Sequence, residues 1–561
     1  MATTPLPFSS FLPLLSHPHK LSFRSLSKTL DPALSPCRPT PICCRASPQT
    51  PEDSVETKGT GAVAPTRGDV YLERQQATSA TAFVLEKDNQ DKSRRKRRVG
   101  AKFPNNVACC YGCGAPLQTA EIDAPGYVIA ETYELKKRHH QLRTVLCGRC
   151  KLLSHGHMVT AVGGHGGYPG GKQFISAEEL RDKLSHLRHE KVLIVKLVDI
   201  VDFNGSFLAR IRDLAGANPI ILVITKVDLL PRGTDLNCIG DWVVEATTKK
   251  KLNVVSVHLT SSKSLVGITG VISEIQKEKK GRDVYILGAA NVGKSAFINA
   301  LLKLMAKRDP IAAAARKYKP MQSAVPGTTL GPIQIEAFQG GGNLFDTPGV
   351  HLHHRQAAVV HSDDLPSLAP QSRLKGQSFP ITSNETATGQ ETVGLNGYSL
   401  FWGGLVRIDV IKVLPKTRLI FYGPKKLKVH MVSTVVADEF YNEQLGITLT
   451  PPTDREKTES WIGLQIVKQL NIKFEDTRRY ISIILSSNLE CILITFIQRP
   501  ACDIAISDSE QAGELHLAVH VPKPVEVFLR PPMPVGKAGE EWYQYQDLTE
   551  KEEELRPKWF Y

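Results

Sequence analysis

Residues Asp283 to Ser295 combine a short apolar run, Asp283-Val-Tyr-Ile-Leu287, with the loop Gly288-Ala-Ala-Asn291-Val292-Gly293-Lys294-Ser295, and a helical pattern follows from Ala296. No other feature limits the fold as tightly. G-x-x-x-x-G-K-S between a strand and a helix demands an α/β sheet whose strand ends in a loop that winds directly into a helix. Glycines there let successive backbone amides turn inwards around a phosphate. Lys294 would neutralise β- and γ-phosphate oxygens, and the Ser295 hydroxyl would meet Mg²⁺. Gly288, Asn291, Val292, Gly293 and Ala296 complete the candidate phosphate site. A second G-x-x-x-x-G-K, Gly166 to Lys172, has Gln173 where the hydroxyl belongs and no strand before it, so it is read as a structural glycine loop.

A phosphate loop does not choose its base. Guanine is selected by a carboxylate that accepts from N1–H and the exocyclic amine, a pattern adenine cannot satisfy. Thr225-Lys226-Val-Asp228 follows the apolar run Pro219–Ile224 and offers Asp228 for this, with the Lys226 stem along the base plane. Thr225 stands where Asn is commoner. Thr260-Ser261-Ser262-Lys263 follows the run Asn253–Leu259 and resembles the S-A-K loop whose backbone meets guanine O6. Downstream, Phe345-Asp346-Thr-Pro-Gly349 matches D-x-x-G: Asp346 would hold Mg²⁺ through water, and the Gly349 amide would sense the γ-phosphate. Pro326-Gly-Thr-Thr329 is switch-like, with Thr329 a further Mg²⁺ ligand. GTP is the implied substrate.

The order is unusual, because the base-reading motifs precede the phosphate loop. A sheet tolerates such a rearrangement when its original termini lie close together. The expected fold is therefore α/β, a circularly permuted P-loop GTPase domain over 173–361. Expected strands are Val192–Val198, Pro219–Ile224, Asn253–Leu259, Asp283–Leu287, Ile333–Ala337 and Asn343–Phe345, and a helical pattern covers Ala177–Glu190. The order also places the switches just before the C-terminal domain, to which nucleotide state would pass. Val350 occupies the place of the glutamine that positions water in Ras-like enzymes, so slow intrinsic hydrolysis stimulated by a partner is expected. Asn291 resembles the asparagine by which certain GTPases hold K⁺. His351, His353, His354 and Arg355 lie nearby, and none is assigned as a base.

Cys110-x-x-Cys113 and Cys147-Gly-Arg-Cys150 are two knuckles suited to tetrahedral Zn²⁺ in a small domain over 107–172. Cys109 leaves the register ambiguous, and redox dithiols or an iron–sulfur cluster are the other uses of such spacing. Lys136 to His140 and Arg143 form a basic surface between the knuckles.

The chain has 561 residues, and roughly 150 per domain implies three or four units. A net charge of +14 favours an anionic partner such as RNA. Residues 1–46 begin with thirty residues lacking Asp and Glu and have the composition of an organelle transit peptide, for a chloroplast or alternatively a mitochondrion. Residues 47–106 form a polar basic linker carrying Arg94 to Arg98, and 362–396 a Ser/Pro/Gly/Thr-rich connection. Residues 397–561 are expected to form a mainly β or α+β C-terminal domain, with β-like runs at Leu400–Ile408, Arg418–Tyr422 and Glu514–Val521. The apolar stretch Ile481 to Ile497 is interrupted by Ser486, Ser487, Asn488 and Glu490 and falls short of the roughly 20 apolar residues of a spanning helix, so it is read as one or two strands rather than a membrane span.

Zinc knuckles followed by a permuted GTPase resemble the YqeH-type family of circularly permuted GTPases. The stretches Cys110-Tyr-Gly-Cys-Gly-Ala-Pro-Leu-Gln118, Lys196-Leu-Val-Asp-Ile-Val-Asp-Phe-Asn204 and Arg556-Pro-Lys-Trp559 carry the likeness, which runs from about Cys109 to the C-terminus. The resemblance implies GTP hydrolysis, an organellar address, a nucleic-acid-binding C-terminal domain, and assembly of a bacterial-type small ribosomal subunit, with its ribosomal RNA as partner. The segment Arg479–Gln498 departs from the family pattern. Two other classes are alternatives. A signalling GTPase would have protein partners only. A nitric-oxide-producing oxidoreductase would need haem, flavin and nicotinamide sites, and no G-x-G-x-x-G follows a strand.

Overall fold

In a sheet covered on both faces, strands lose the apolar–polar alternation and become continuous apolar runs. Ile220–Thr225 is such a run and Leu193–Asp199 another, interrupted by the buried Lys196; both are buried at every position and form the middle of the principal sheet. The computed structural model describes residues 108–155, 176–207, 211–250, 252–323, 327–350, 356–379, 394–413, 417–474, 481–485, 493–498, 513–530, 533–536, 549–554 and 556–561. The expected transit peptide and basic linker, the glycine loop at 166–172, Pro326, and His351 to Arg355 lie outside them.

Six strands appear first in the chain: β1 (Leu193–Asp199), β2 (Ile220–Thr225), β3 (Val254–Leu259), β4 (Val284–Leu287), β5 (Ile333–Ile335) and β6 (Leu344–Asp346). They lie in the order β3-β2-β1-β4-β6-β5, parallel except for β5 against β6. Each begins and ends within a residue or two of its sequence expectation. One face buries Leu197, Val223 and Ile286 against Val271 and Ile275 of helix Ile268–Lys279 and Phe297 and Leu301 of helix Lys294–Met305. The opposite face buries Val198, Leu222 and Val257 against Ile239, Trp242 and Val243 of helix Leu236–Thr248. At one end Leu180, Leu184 and Leu187, from helix Ala177–Leu184 and the 3-10 turn that continues it, close over Ile194 and Ile220.

Ten further strands follow: β7 (Lys375–Phe379), β8 (Tyr398–Trp402), β9 (Val406–Lys412), β10 (Thr417–Gly423), β11 (Val429–Ser433), β12 (Gln465–Phe474), β13 (Ile481–Leu485), β14 (Leu493–Gln498), β15 (Gly513–Val521) and β16 (Val527–Arg530). They build two antiparallel five-stranded sheets, β16-β13-β14-β10-β7 and β11-β8-β9-β15-β12. Their shared core includes Leu400, Trp402, Ile408, Leu419, Phe421, Leu517 and Val519.

Three expectations change. The run Leu400–Ile408 is two strands of a hairpin, because Gly403 takes φ +56° and turns the chain back. β7 lies inside the segment expected to be a connection and pairs with β10, its backbone completing that sheet edge although its composition is that of a loop. The final strand, β17 (Lys558–Phe560), leaves the C-terminal sheets and adds in parallel beyond β3, pairing Trp559 with Val257. Gly240 makes room for it, since a β-carbon there would lie 2.5 Å from the Trp559 ring. The apolar stretch near 481–497 contains the hairpin of β13 and β14. Among the described residues no helix is long and apolar enough to cross a membrane.

Candidate functional site

At the carboxyl ends of β1, β2, β4 and β6 the chain leaves the sheet in four loops, and these converge. The loop after β4 turns tightly: Asn291 takes φ +60° and Gly293 φ +88° before helix Lys294–Met305 starts. The amides of that first helical turn have no partner within the helix and attract anions. Gly288 is required here as well, because a β-carbon would lie 3.1 Å from the Leu197 carbonyl and 2.8 Å from the Val292 side chain.

Lys294 lies folded back into the loop, 7% exposed, donating to the carbonyls of Gly288 at 3.2 Å and Ala289 at 2.8 Å. Burial holds its ammonium down at about 8, against the upward pull of Asp346. Asp346, at the end of β6, is fully buried, and burial pushes its carboxyl up to about 6 while Lys294 and Ser295 pull it down. Ser295 Oγ donates to Asp346 Oδ2 at 3.3 Å. Asp346 Oδ1 is buried with no hydrogen-bond partner among the described residues. A hydroxyl beside a carboxylate that keeps one acceptor open suits a hard, hydrated cation such as Mg²⁺. Thr347 fastens the next residue to β4 by donating to the Ile286 carbonyl at 2.6 Å.

Gly349 packs directly against the phosphate loop: a β-carbon would lie 2.7 Å from Ala290 Cα and 2.8 Å from Lys294 Nζ. The Ala290 amide donates to the Val350 carbonyl at 2.8 Å, which ties the two loops together. The Val350 side chain is buried with Leu180, Tyr285 and Leu287, so it plays no part in positioning water.

The loop after β2 approaches from the other side. Thr225 Oγ1 donates to the carbonyls of Val198 at 3.2 Å and Val292 at 2.8 Å. Lys226, with φ +64°, sends its ammonium to the Asn291 carbonyl at 2.7 Å and to Asp199 Oδ2 at 2.9 Å. Asp228 is half-buried in the turn Val227–Leu229. The Val227 amide donates to the Thr260 carbonyl, which brings the loop after β3 alongside. There Ser261 is buried and caps the Ser264 amide, Ser262 is half-buried, and the exposed Lys263 donates to the Gln371 carbonyl at 2.6 Å. Ala296 sits half-buried in the first turn of the phosphate-loop helix.

Asp199 was not singled out from the sequence. The available signal was a carboxylate ending the apolar run of β1, one strand away from the run that precedes Thr225.

Cys110, Cys113, Cys147 and Cys150 are all buried, and their sulfurs lie within 4.8 Å of one another. Cys109 stays outside this group, in a bridge to Pro116. The Cys113–Cys147 sulfur separation is 3.8 Å. A tetrahedron with metal–sulfur bonds of about 2.3 Å has edges of about 3.8 Å, so four thiolates here fit one metal ion. The hydrogen bond from Cys113 draws the Cys110 thiol down to about 7, and bonding among the four thiols draws Cys147 lower still. The basic surface between the knuckles is partly neutralised within the chain, through Lys137–Glu134 and Arg143–Glu336.

Thr329 is 8% exposed, in the segment that precedes β5. That segment rests on the cysteine unit. The Leu330 amide donates to the Cys113 carbonyl at 2.7 Å, and Arg149 donates to the carbonyls of Gly327 at 2.9 Å and Thr328 at 3.2 Å. The C-terminal sheets approach elsewhere: Leu374 bonds the Leu229 carbonyl, and Met533, Val535 and Tyr422 pack with Leu230 beside the base-reading loop.

Residues 283–369 match the family described as 50S ribosome-binding GTPase. The matched span opens at β4, downstream of Thr225–Asp228 and Thr260–Lys263. The chain is 66% identical to a rice protein provisionally named a nitric oxide synthase, over 98% of this chain and 99% of the rice protein. It is 63% identical to NO-associated protein 1, chloroplastic/mitochondrial, of Arabidopsis thaliana, over 93% and 94% of the two chains. With YqeH of Bacillus subtilis it shares 32% identity over 62% of this chain and 84% of the bacterial one.

Proposed function

The chain belongs to the family of plant NO-associated protein 1 and bacterial YqeH, and from that premise we propose that it hydrolyses GTP in a circularly permuted site while assisting assembly of an organellar small ribosomal subunit. One observation carries the nucleotide reading: the loops after β2 and β4, far apart in the chain, are bonded through Lys226 to Asn291 and Thr225 to Val292. This supports a reading in which Asp228, two residues after Lys226, serves the base beside a phosphate cradle. In this reading Gly288 to Ala296 wrap the phosphates, Asp228 accepts from guanine, and Ser261, Ser262 and Lys263 border the base. Ser295, Asp346 and Thr329 hold Mg²⁺, and the Gly349 amide follows the γ-phosphate.

The base-reading loops lie upstream of the span that matches the GTPase family, which supports permutation of one ancestral sheet. Zn²⁺ is the metal proposed for the four cysteines. Slow basal hydrolysis, with K⁺ at Asn291 and a ribosomal particle as activators, belongs to this reading; it is supported by an apolar, buried Val350 in the place of the water-positioning glutamine of Ras-like enzymes. The Arabidopsis relative is named chloroplastic/mitochondrial, which supports a chloroplast address here, and ribosomal RNA is the proposed partner of the basic chain. The matched family's description speaks of the 50S particle, so subunit choice belongs in the test.

GTP turnover is measured with and without chloroplast 30S and 50S particles, in K⁺ and Na⁺ buffers, with Lys294→Ala as control. Stimulation by the 30S particle and by K⁺ is expected. Equal turnover in every condition would overturn both activators, and stimulation by 50S alone would move the proposal to the large subunit.

A further inference from the structure

The candidate switch threonine is bracketed by the cysteine unit. Before Thr329, the carbonyls of Gly327 and Thr328 accept from Arg149. After it, the amides of Leu330 and Gly331 both donate to the Cys113 carbonyl, at 2.7 and 3.2 Å. Further back, the Met321 amide donates to the Gly112 carbonyl at 3.1 Å. Gly114 and Gly331 meet so closely that a β-carbon on Gly114 would lie 2.2 Å from the Gly331 carbonyl oxygen, and one on Gly331 2.3 Å from that of Gly114.

Every anchor is a metal-ligand candidate or its immediate neighbour: Cys113 itself, Gly112 and Gly114 beside it, and Arg149 between Cys147 and Cys150. The Arg149 guanidinium also has donor capacity left, since one terminal nitrogen is buried without a hydrogen-bond partner among the described residues. A metal bound by four thiolates ties both knuckles to one centre and so couples their loop conformation to its binding. The Cys113 carbonyl and the Arg149 guanidinium, which hold the backbone on both sides of Thr329, thus sit on the two knuckles that carry the metal-ligand candidates.

We propose that the Cys₄ unit is the seat of the switch segment: a metal held by Cys110, Cys113, Cys147 and Cys150 fixes Arg149 as a positioning residue, which holds Gly327–Gly331 where Thr329 can close on Mg·GTP. This rests on the GTPase reading above. It requires reciprocity, because two sites that bias one loop must bias each other by the same factor. A nucleotide that closes the switch therefore tightens the hold on the metal.

The test uses the full chain loaded with Co²⁺, whose thiolate absorption reports an intact Cys₄ unit, and follows Co²⁺ release to a chelator. Release is compared with no nucleotide, with GDP, and with Mg²⁺ and a non-hydrolysable GTP analogue, while binding of a fluorescent guanine nucleotide is measured on the same samples. At equilibrium with the chelator, the GTP analogue is expected to raise the apparent Co²⁺ affinity about five-fold or more relative to GDP. Arg149→Lys keeps the charge but replaces the planar guanidinium, whose one terminal nitrogen reaches both carbonyls, with a compact ammonium on a different stem. It should retain the cobalt absorption and GDP binding, lose the nucleotide dependence of release, and need more Mg²⁺ for half-maximal hydrolysis. Arg143→Ala, at an exposed pair with Glu336, should behave as wild type. Release that ignores the nucleotide in protein that binds it would overturn the coupling alone. Protein that retains Co²⁺ and binds no guanine nucleotide would overturn the GTPase reading, and this proposal with it.

Discussion

The Lys226 ammonium lies 2.9 Å from the Asp199 carboxylate, linking the ends of two adjacent parallel strands within the candidate nucleotide site. The same ammonium reaches the Asn291 carbonyl, so the lysine expected to lie along the base also pins the phosphate loop. Both partners are largely shielded, at 16% and 5% side-chain exposure, and charge-assisted bonds in such surroundings contribute more than a surface pair.

Removing that carboxylate charge is the first test. Asp199→Asn should weaken guanine-nucleotide binding by about 1.5–3 kcal/mol, roughly 10- to 150-fold in Kd, while the protein stays folded. Titration with a fluorescent GDP analogue measures it, and an unchanged Kd would show that Lys226 needs no second anchor.

Acidity should set a window for Mg·GTP binding. The Asp346 carboxyl is raised to about 6, so below that pH it is protonated and cannot serve the cation, and Mg²⁺ affinity falls. Lys294 is lowered to about 8, so above that pH the empty site holds a neutral amine, which must take up a proton to pair with phosphate, and GTP affinity falls. Binding is therefore expected to be tightest between these values, and calorimetry in buffers of different ionisation heat should detect proton uptake on the alkaline side. Uniform affinity from pH 5 to about 9 would contradict both shifts.

Gly349→Ala places a methyl group against Ala290 and Lys294 Nζ. The D-x-x-G loop would have to withdraw from the phosphate loop. GDP binding should survive, while single-turnover GTP hydrolysis should drop on the order of 100-fold or more, the scale of losing one transition-state donor. Full hydrolysis in this variant would mean that Gly349 does not follow the γ-phosphate.

Trp559→Ala tests the last strand. The indole donates to Asp241 at 3.0 Å and its ring covers Gly240 on helix Leu236–Thr248. Because Trp559 is only half-buried, a loss of about 2 kcal/mol is expected, below the ~3–5 kcal/mol of a fully buried large aromatic. Thermal denaturation measures it, and the amides of β3, now at a sheet edge, should exchange faster.

Much of the nucleotide sheet was legible beforehand. β1 to β4 are apolar runs bounded by turn residues, and the phosphate loop, D-x-x-G and Cys-x-x-Cys segments contain their chemistry within a few consecutive residues. β7 was illegible because Lys375-Gly-Gln-Ser-Phe379 has the composition of a loop, and only pairing with β10 makes it a strand. Treating Leu400–Ile408 as one run underestimated the Gly403 turn, which reverses the chain between β8 and β9.

The chemistry open to each loop is written locally, because phosphate wrapping, guanine selection and tetrahedral thiolate binding depend on residue types at short, fixed spacing. Tertiary structure decided which loops act on one another. Arg149 reaches Gly327 across 178 positions, Lys226 reaches Asn291 across 65, and Val350 turns into the core rather than towards the phosphates. These depend on strand order and on how the loops pack, which residues far apart in the chain decide together. The sheet order places the loops after β2 and β4 side by side, and the packing of the cysteine unit places Gly327–Gly331 against Cys113 and Arg149.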